Sequence, residues 1–290
     1  MLRGKTDMGE QATLTQPLLG AHMSIAGGLE KALLRGQDLG CTTIQLFTRS
    51  SNQWKERTLE ETEIQLFREV REQTKIGPVI SHASYLINLA SPDREVYGKS
   101  LDAMVGEILR CEQLGIDHIV VHPGFHKGCG EGWGIDRIVD SLDAIHADTA
   151  GAKVKIALET TAGQGTALGG NLEQIARIIE GVKEQSRLAF CLDTCHMFVA
   201  GYDLRTQRNY RDLLRWVDGT IGRENLKVIH LNDSKREMGS RVDRHENIGE
   251  GMIGEGLFRL IMGDASLAGV PKIIETPGDI ENLQLLRSFV

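Results

Sequence analysis

The amino-acid sequence predicts an α/β fold, specifically a (β/α)8 TIM barrel, from three observations. Short β-branched apolar runs alternate with longer stretches of helical period, the pattern of parallel strands joined by crossover helices. The strand-like runs number eight, which is the number that closes a barrel. No Pro- or Ser-rich linker or low-complexity tract divides the 290 residues. The length therefore reads as one barrel of roughly 250 residues plus loops rather than as two domains.

Residues 1–14 carry neither period and are expected to fray as an N-terminal extension, leaving a single domain over residues 15–290. The first strand run, 18–23, precedes a helical stretch over 28–39, and the second, 43–47, precedes one over 58–74. Runs 78–82 and 119–122 are followed by helical stretches at 94–114 and 135–147, and runs 155–158 and 188–192 by stretches at 171–183 and 210–221. Run 227–231 leads to a stretch at 256–263, and run 272–274 comes last. The connection over 232–252 is rich in Gly and charge and exceeds the usual βα loop of a few residues. Loops of that length are functional or disordered.

Composition narrows the class. Hydrophobic residues make up 41% and charged residues 25%. No apolar run approaches the ~18 residues of a membrane span, and the first residues are polar rather than a charged stub before an apolar core. A membrane or secreted protein is not expected. The five cysteines (Cys41, Cys111, Cys129, Cys191, Cys195) include no CxxC pair, so neither a disulfide framework nor a thiolate zinc knuckle is expected. A reducing cytoplasm is the expected location, beside the nucleoid if the source is bacterial. The net charge of −7 and pI near 5.8 argue against holding nucleic acid by bulk electrostatics.

The chemistry sits where the strand runs end. His22, His82, His122, Glu159, Asp193, His230 and Glu275 stand at or beside the ends of seven runs. In a parallel barrel all those ends open on one face, so residues scattered in sequence converge in space. Asp193 and His196 lie three apart, and Asp243 and His245 two apart on the same side of an extended segment. The candidate ligands are thus His82, His122, Glu159, Asp193, His196, His230, Asp243, His245 and Glu275. A mixed nitrogen and oxygen set without cysteine suits zinc or manganese. It is too large for one ion and points to two or three.

Plainer readings apply to each residue alone. A single strand-end histidine is more often a hydrogen-bonded structural residue, and Asp193 or Asp243 has the character of a helix N-cap. His118, His126 and His146 are read as structural or surface residues, and His22 as either a neighbour of the site or purely structural. The joint occurrence favours a metal site. A carboxylate-rich site with two ions ~3.5–4 Å apart suits phosphate-ester hydrolysis, because it activates water and stabilises the leaving oxygen. It suits sugar isomerisation equally, so the ligands alone leave both open.

Longer motifs separate the two. The stretch from His82 to Leu89 (HASYLINL), His122-Pro123-Gly124, the stretch from Glu159 to Gly165 (ETTAGQG), and Cys191 to His196 (CLDTCH) come first. His230 to Lys235 (HLNDSK), Gly239 to His245 (GSRVDRH) and Ile248 to Gly251 (IGEG) follow in the same chain. Together, from about Gly20 to Glu275, they resemble the endonuclease IV family of apurinic/apyrimidinic (AP) endonucleases. The resemblance implies a TIM barrel with three Zn2+ per chain, manganese being an alternative at one site. It implies hydrolysis of the phosphodiester 5′ to abasic sites in duplex DNA, giving a 3′-hydroxyl and a 5′-deoxyribose phosphate, and 3′-end cleaning. It places one zinc on His82, His122 and Glu159, a second on Glu159, Asp193, His230 and Glu275, and a third on His196, Asp243 and His245. Glu159 and Glu275 are the implied catalytic carboxylates, and a monomer acting on abasic or 3′-blocked duplex DNA is implied.

Recognition is expected from loops on the same face. The resemblance matches Tyr85 and Leu86 to a pair that enters the DNA at the lesion; wedging of this kind costs a few kcal/mol of stacking. The segment holding Arg49, Asn52 and Gln53 matches a second inserting loop, with Asn52 standing where a family member carries Arg, and Arg49 or Gln53 as its substitute. Lys235, Arg236, Arg241 and Arg244 give the long loop four cations suited to phosphates. The rival readings are a sugar isomerase or epimerase of the xylose-isomerase-like barrels, disfavoured by the third ligand set, and a catalytically idle DNA-binding barrel, disfavoured by the intact ligands and the acidic charge.

Overall fold

The computed structural model describes residues 16–55 and 57–290, so the expectation for residues 1–14 lies outside the described residues. Eight parallel strands form one sheet: β1 (Leu19–Ala21), β2 (Ile44–Leu46), β3 (Val79–His82), β4 (His118–Val121), β5 (Lys155–Glu159), β6 (Leu188–Asp193), β7 (Leu226–His230) and β8 (Lys272–Ile274). Each strand neighbours the next in sequence, and β1 pairs with β8 through Leu19↔Lys272 and Ala21↔Ile274. The sheet closes where His22 bridges Gln45 in parallel and the Met23 N–H donates to the Gln45 carbonyl at 2.7 Å. The fold is a TIM barrel, and every expected strand run contains its strand to within a residue or so at either end.

The outer layer is α1 (Leu29–Asp38), α2 (Glu61–Thr74), α3 (Arg94–Leu114), α4 (Glu131–Asp148), α5 (Leu172–Gly181), α6 (Thr194–Ala200), α7 (Gln207–Thr220), α8 (Glu255–Met262) and α9 (Ile280–Arg287). Sequence periodicity located all but α6 and α9. Helix α4 begins at Glu131, ahead of the expected 135, and runs through Gly134. That glycine is required by close approach, because a Cβ there would lie 2.7 Å from Leu168 Cδ1 and 2.8 Å from His126 Cβ.

Side chains along a strand alternate between barrel interior and helix layer with period two. Ile80, Val120, Ala157, Ala189, Cys191, Val228 and Ile273 form an apolar cluster of their own, distinct from the larger core between strands and helices. Two residues beyond members of this inner cluster come His82, His122, Glu159, Asp193, His230 and Glu275. The same alternation that fills the barrel with methyl groups therefore aims these six polar side chains into its mouth. Replacing Ile80 by Ala should lower stability by about 2–5 kcal/mol. Leu66, which is 43% exposed, should cost under about 0.5 kcal/mol when truncated. Comparison of chemical-denaturation midpoints checks both values.

Candidate metal centre

The nine expected ligands meet at the mouth as three groups, each with donor atoms within 4.8 Å of one another. In the first, His82 Nε2 and His122 Nε2 lie 3.3 and 3.1 Å from the same oxygen, Glu159 Oε2. In the second, His230 Nδ1 lies 2.9 Å from Glu159 Oε1, 3.5 Å from Glu275 Oε2 and 3.8 Å from Asp193 Oδ2. In the third, Asp243 faces His196 Nε2 at 3.1 Å and His245 Nε2 at 3.2 Å with one oxygen each. Glu159 belongs to the first two groups and spans them.

Local structure brings the non-strand ligands to this place. Asp193 is both cap and ligand candidate: its Oδ1 accepts the His196 N–H at 2.8 Å, which starts α6 and lifts His196 over the mouth. Its Oδ2 accepts from Asn232 at 2.7 Å and faces the cluster. The long loop is ordered, not loose. Asp233–Ser234 pairs antiparallel with His245–Glu246, and this short ladder returns His245 to the centre. Asp233, fully buried, accepts from the backbone N–H of Gly249, Ile253 and Gly254 at 2.9, 2.9 and 3.2 Å, so one carboxylate folds the end of the loop.

Each of four histidines has one ring nitrogen committed to a carbonyl-type acceptor. His82 Nδ1 donates to the Ala83 carbonyl at 2.7 Å, His196 Nδ1 to the Thr160 carbonyl at 2.8 Å and His245 Nδ1 to the Glu275 carbonyl at 3.2 Å. His230 Nε2 donates to Gln45 Oε1 at 2.9 Å. In each neutral ring the second nitrogen is then a lone pair aimed at carboxylate lone pairs, an arrangement that needs a cation between them. The arrangement suits a metal ion, and neutral imidazoles with carboxylates are donors that fit zinc. Cys191 and Cys195 border the groups, and burial pushes both thiols up to about 12.

Without metal, protons fill the same role. Burial opposes charge on His82, His196, His230 and His245, but neighbouring acidic groups outweigh it and raise all four, His230 through Cys191, Glu275 and Glu159 and His245 to about 9 through Asp243, Asp193 and Glu275. Burial likewise opposes charge on Glu159 and Asp243. Surrounding imidazoles, chiefly His230 and His122 at Glu159 and His196 and His245 at Asp243, hold both carboxyls well below their usual range.

Sequence reading missed the groups that orient the ligands. Gln45, on β2, bridges His230 and Glu275, while Asn232 Oδ1 accepts the Glu275 N–H at 2.8 Å as its amide holds Asp193. Asn232 lies just past the end of β7, where counting amides with titratable groups would find it, but Gln45 stands in the middle of β2 and nothing local marks it. His22 is a neighbour of the site, with Nδ1 3.2 Å from Glu275 Oε1. His118 starts β4, His126 lies in a loop and His146 is buried on α4, all outside the three groups.

The rim residues divide. Tyr85 is 59% exposed with its ring 5.3 Å from that of His82, and Leu86 beside it is half-buried. Asn52, Gln53, Lys235, Arg241 and Arg244 are exposed, Lys235 lying 3.7 Å from Glu246 and Arg244 donating to the Asp243 carbonyl at 2.7 Å. Arg49 departs from expectation. It is 5% exposed, donates to the Gln53 and Trp54 carbonyls and lies 4.0 Å from buried Glu107. Its guanidinium shapes the Asn52–Gln53 loop from beneath and is not a surface cation for phosphate.

A family model described as a xylose isomerase-like TIM barrel, that of the AP endonuclease 2 family, matches residues 33–288. The probable endonuclease 4 of Geobacter sulfurreducens is 49% identical over 278 residues, covering 94% of both chains. This chain belongs to the endonuclease IV family. The crystal structure of endonuclease IV from Thermus thermophilus superposes with a TM-score of 0.84 at 34% identity, covering 94% of this chain and 98% of that one. A D-tagatose 3-epimerase-like protein, at 18% identity and TM-score 0.70, shares the fold alone, covering 93% of this chain and 94% of its own.

The raised histidines set a pH dependence for the metal-free endonuclease IV fold. Their protons stabilise it fully below the unfolded value of about 6.5, and His245 loses that contribution as pH rises through about 9. The metal-free chain should therefore melt at a lower temperature at pH 9 than at pH 7, and zinc should remove the difference. Thermal unfolding with and without chelator checks this.

Proposed function

We propose that this member of the endonuclease IV family is a DNA-repair hydrolase that cuts the phosphodiester 5′ to abasic sites in duplex DNA. The products are a 3′-hydroxyl and a 5′-deoxyribose phosphate, and the same chemistry removes 3′-blocking groups. The observation that carries this reading is the trio of donor groups at the barrel mouth, two of them sharing Glu159. His82, His122 and Glu159 would hold one zinc. Glu159, Asp193, His230 and Glu275 would hold a second, and His196, Asp243 and His245 a third, with manganese an alternative at one of the sites. Bound ions of this kind lower the pKa of water and neutralise charge on a phosphate under displacement.

The protein's own groups do the arranging. Glu159 directs Oε2 to His82 and His122 and Oε1 to His230, so a single carboxylate fixes the separation of two donor groups. Glu275 keeps Oε1 on Gln45 and turns Oε2 toward the cluster, where it can orient an attacking water. Tyr85 stands exposed over His82, placed to stack against DNA that opens at a lesion, with Leu86 at its side. Asn52 and Gln53 approach from the neighbouring loop, and Lys235, Arg241 and Arg244 line the third. Three divalent ions would offset six of the seven net negative charges, leaving a metal-bearing face to attract the phosphate backbone. The enzyme acts as a monomer in the cytoplasm, beside the nucleoid if its source is bacterial. A sugar isomerase has no use for the third donor group, which favours the nuclease.

Duplex DNA with one abasic analogue should be nicked by the purified chain and protected by a chelator, and metal analysis should find about three zinc ions per chain, one for each donor group. A chelator-insensitive nick or one metal per chain overturns the proposal. His82→Ala and Glu159→Gln should lose more incision than the ~10–100-fold typical of an outer partner, with unchanged circular dichroism. Tyr85→Ala should weaken binding to abasic duplex by about 1–3 kcal/mol, the worth of one aromatic stack, while leaving affinity for undamaged duplex unchanged in a fluorescence titration.

A further inference from the structure

Strand β2 contributes an amide, Gln45, to the barrel mouth. Gln45 is fully buried, and its side chain meets imidazole and carboxylate groups alone among its polar contacts. Nε2 lies 2.7 Å from Glu275 Oε1 and 3.0 Å from His22 Nδ1, and Oε1 lies 2.9 Å from His230 Nε2. The orientation of the amide follows from chemistry. An ionised carboxylate only accepts, so the atom facing Glu275 at hydrogen-bond distance must be the NH2 group, and a flipped amide would set two acceptors against each other. Oε1 is thereby turned to His230, whose Nε2 must carry the proton that Oε1 accepts. The consequence appears on the other side of the ring: in the neutral imidazole Nδ1 is the lone pair, and it stands 2.9 Å from Glu159 Oε1 and 3.5 Å from Glu275 Oε2, where a cation would sit. The same amide holds Glu275 by Oε1 and so leaves Oε2 for the cluster.

We infer that Gln45 is a positioning residue that sets the tautomer of His230 and the orientation of Glu275 together, so that two ligands of one donor group present their free atoms to the same ion. The inference rests on the reading of Glu159, Asp193, His230 and Glu275 as a metal group. Neither His230 nor Glu275 has this coupling from its own strand. His230 comes from β7 and Glu275 follows β8, while Gln45 reaches both from β2 across the closing seam of the barrel.

The test uses the full-length zinc-loaded chain with ring-15N histidine. The wild type should show a protonated, slowly exchanging Nε2 on His230. Gln45→Met keeps length and apolar bulk but has neither donor nor acceptor, and it should lose that exchange protection. By chelator competition it should bind zinc about 10–100-fold more weakly, the usual effect of removing an outer partner of a metal ligand. Incision should recover when zinc is raised, which a merely misfolded variant would not do. An unprotonated His230 Nε2 in the wild type overturns the inference without any variant, as does a folded Gln45→Met with wild-type zinc affinity. A wild-type chain that binds no zinc overturns the metal reading itself, a result distinguishable from either.

Discussion

The structure turns on one buried carboxylate. Glu159 is fully buried at the end of β5, and four imidazole nitrogens approach it within 2.9 to 3.4 Å: His230, His122, His82 and His196. A charge taken out of water costs several kcal/mol unless it is paired and hydrogen-bonded. Glu159 meets that requirement with neutral or protonated rings, groups that accept either a proton or a metal ion. For four of the histidines at the mouth, a neighbouring acceptor fixes which ring nitrogen is left free. Backbone carbonyls do so for His82, His196 and His245, and a side-chain amide does so for His230.

The barrel supplies the precision this needs. Six of the nine candidate ligands stand at strand ends that are locked by parallel pairing and by an inner apolar cluster two residues below. The rim is built differently, from loops fastened by buried polar groups. Glu107 of α3 accepts the Ser84 N–H at 3.1 Å just before Tyr85, and Arg110, one turn on, donates to the Thr48 carbonyl at 3.0 Å. Arg49 completes this underside. Two loops expected to meet DNA are thus tied to one helix, so exposed Tyr85 and Asn52 project from a supported base.

Much of this was legible in the sequence. Eight strand runs and seven helices follow from local periodicity. Six of the nine candidate ligands follow from what stands at the strand ends, since a barrel mouth collects it, and His196, Asp243 and His245 follow from their spacing in sequence. Helix α6 was harder to see because seven residues hold too little apolar pattern, and its start depends on Asp193 capping. The loop over 232–252 looked either functional or disordered because nothing local reveals that Asp233 gathers amides from residues about twenty positions away.

What the sequence by itself supplied is the fold class and a set of nine candidate ligands whose chemistry suits a metal, because residue types at strand ends and short spacings beside them are local properties of the chain. Only the tertiary structure decided which groups orient them. Gln45 and Asn232 act through contacts across strands 39 to 230 residues apart. It also decided the fate of Arg49, whose charge reads as a surface cation until α3 packs Glu107 beneath it. In both cases the physical reason is the same: a polar side chain's role is set by the partners that burial leaves it, and those partners are chosen by the closing of the barrel rather than by neighbours in the chain.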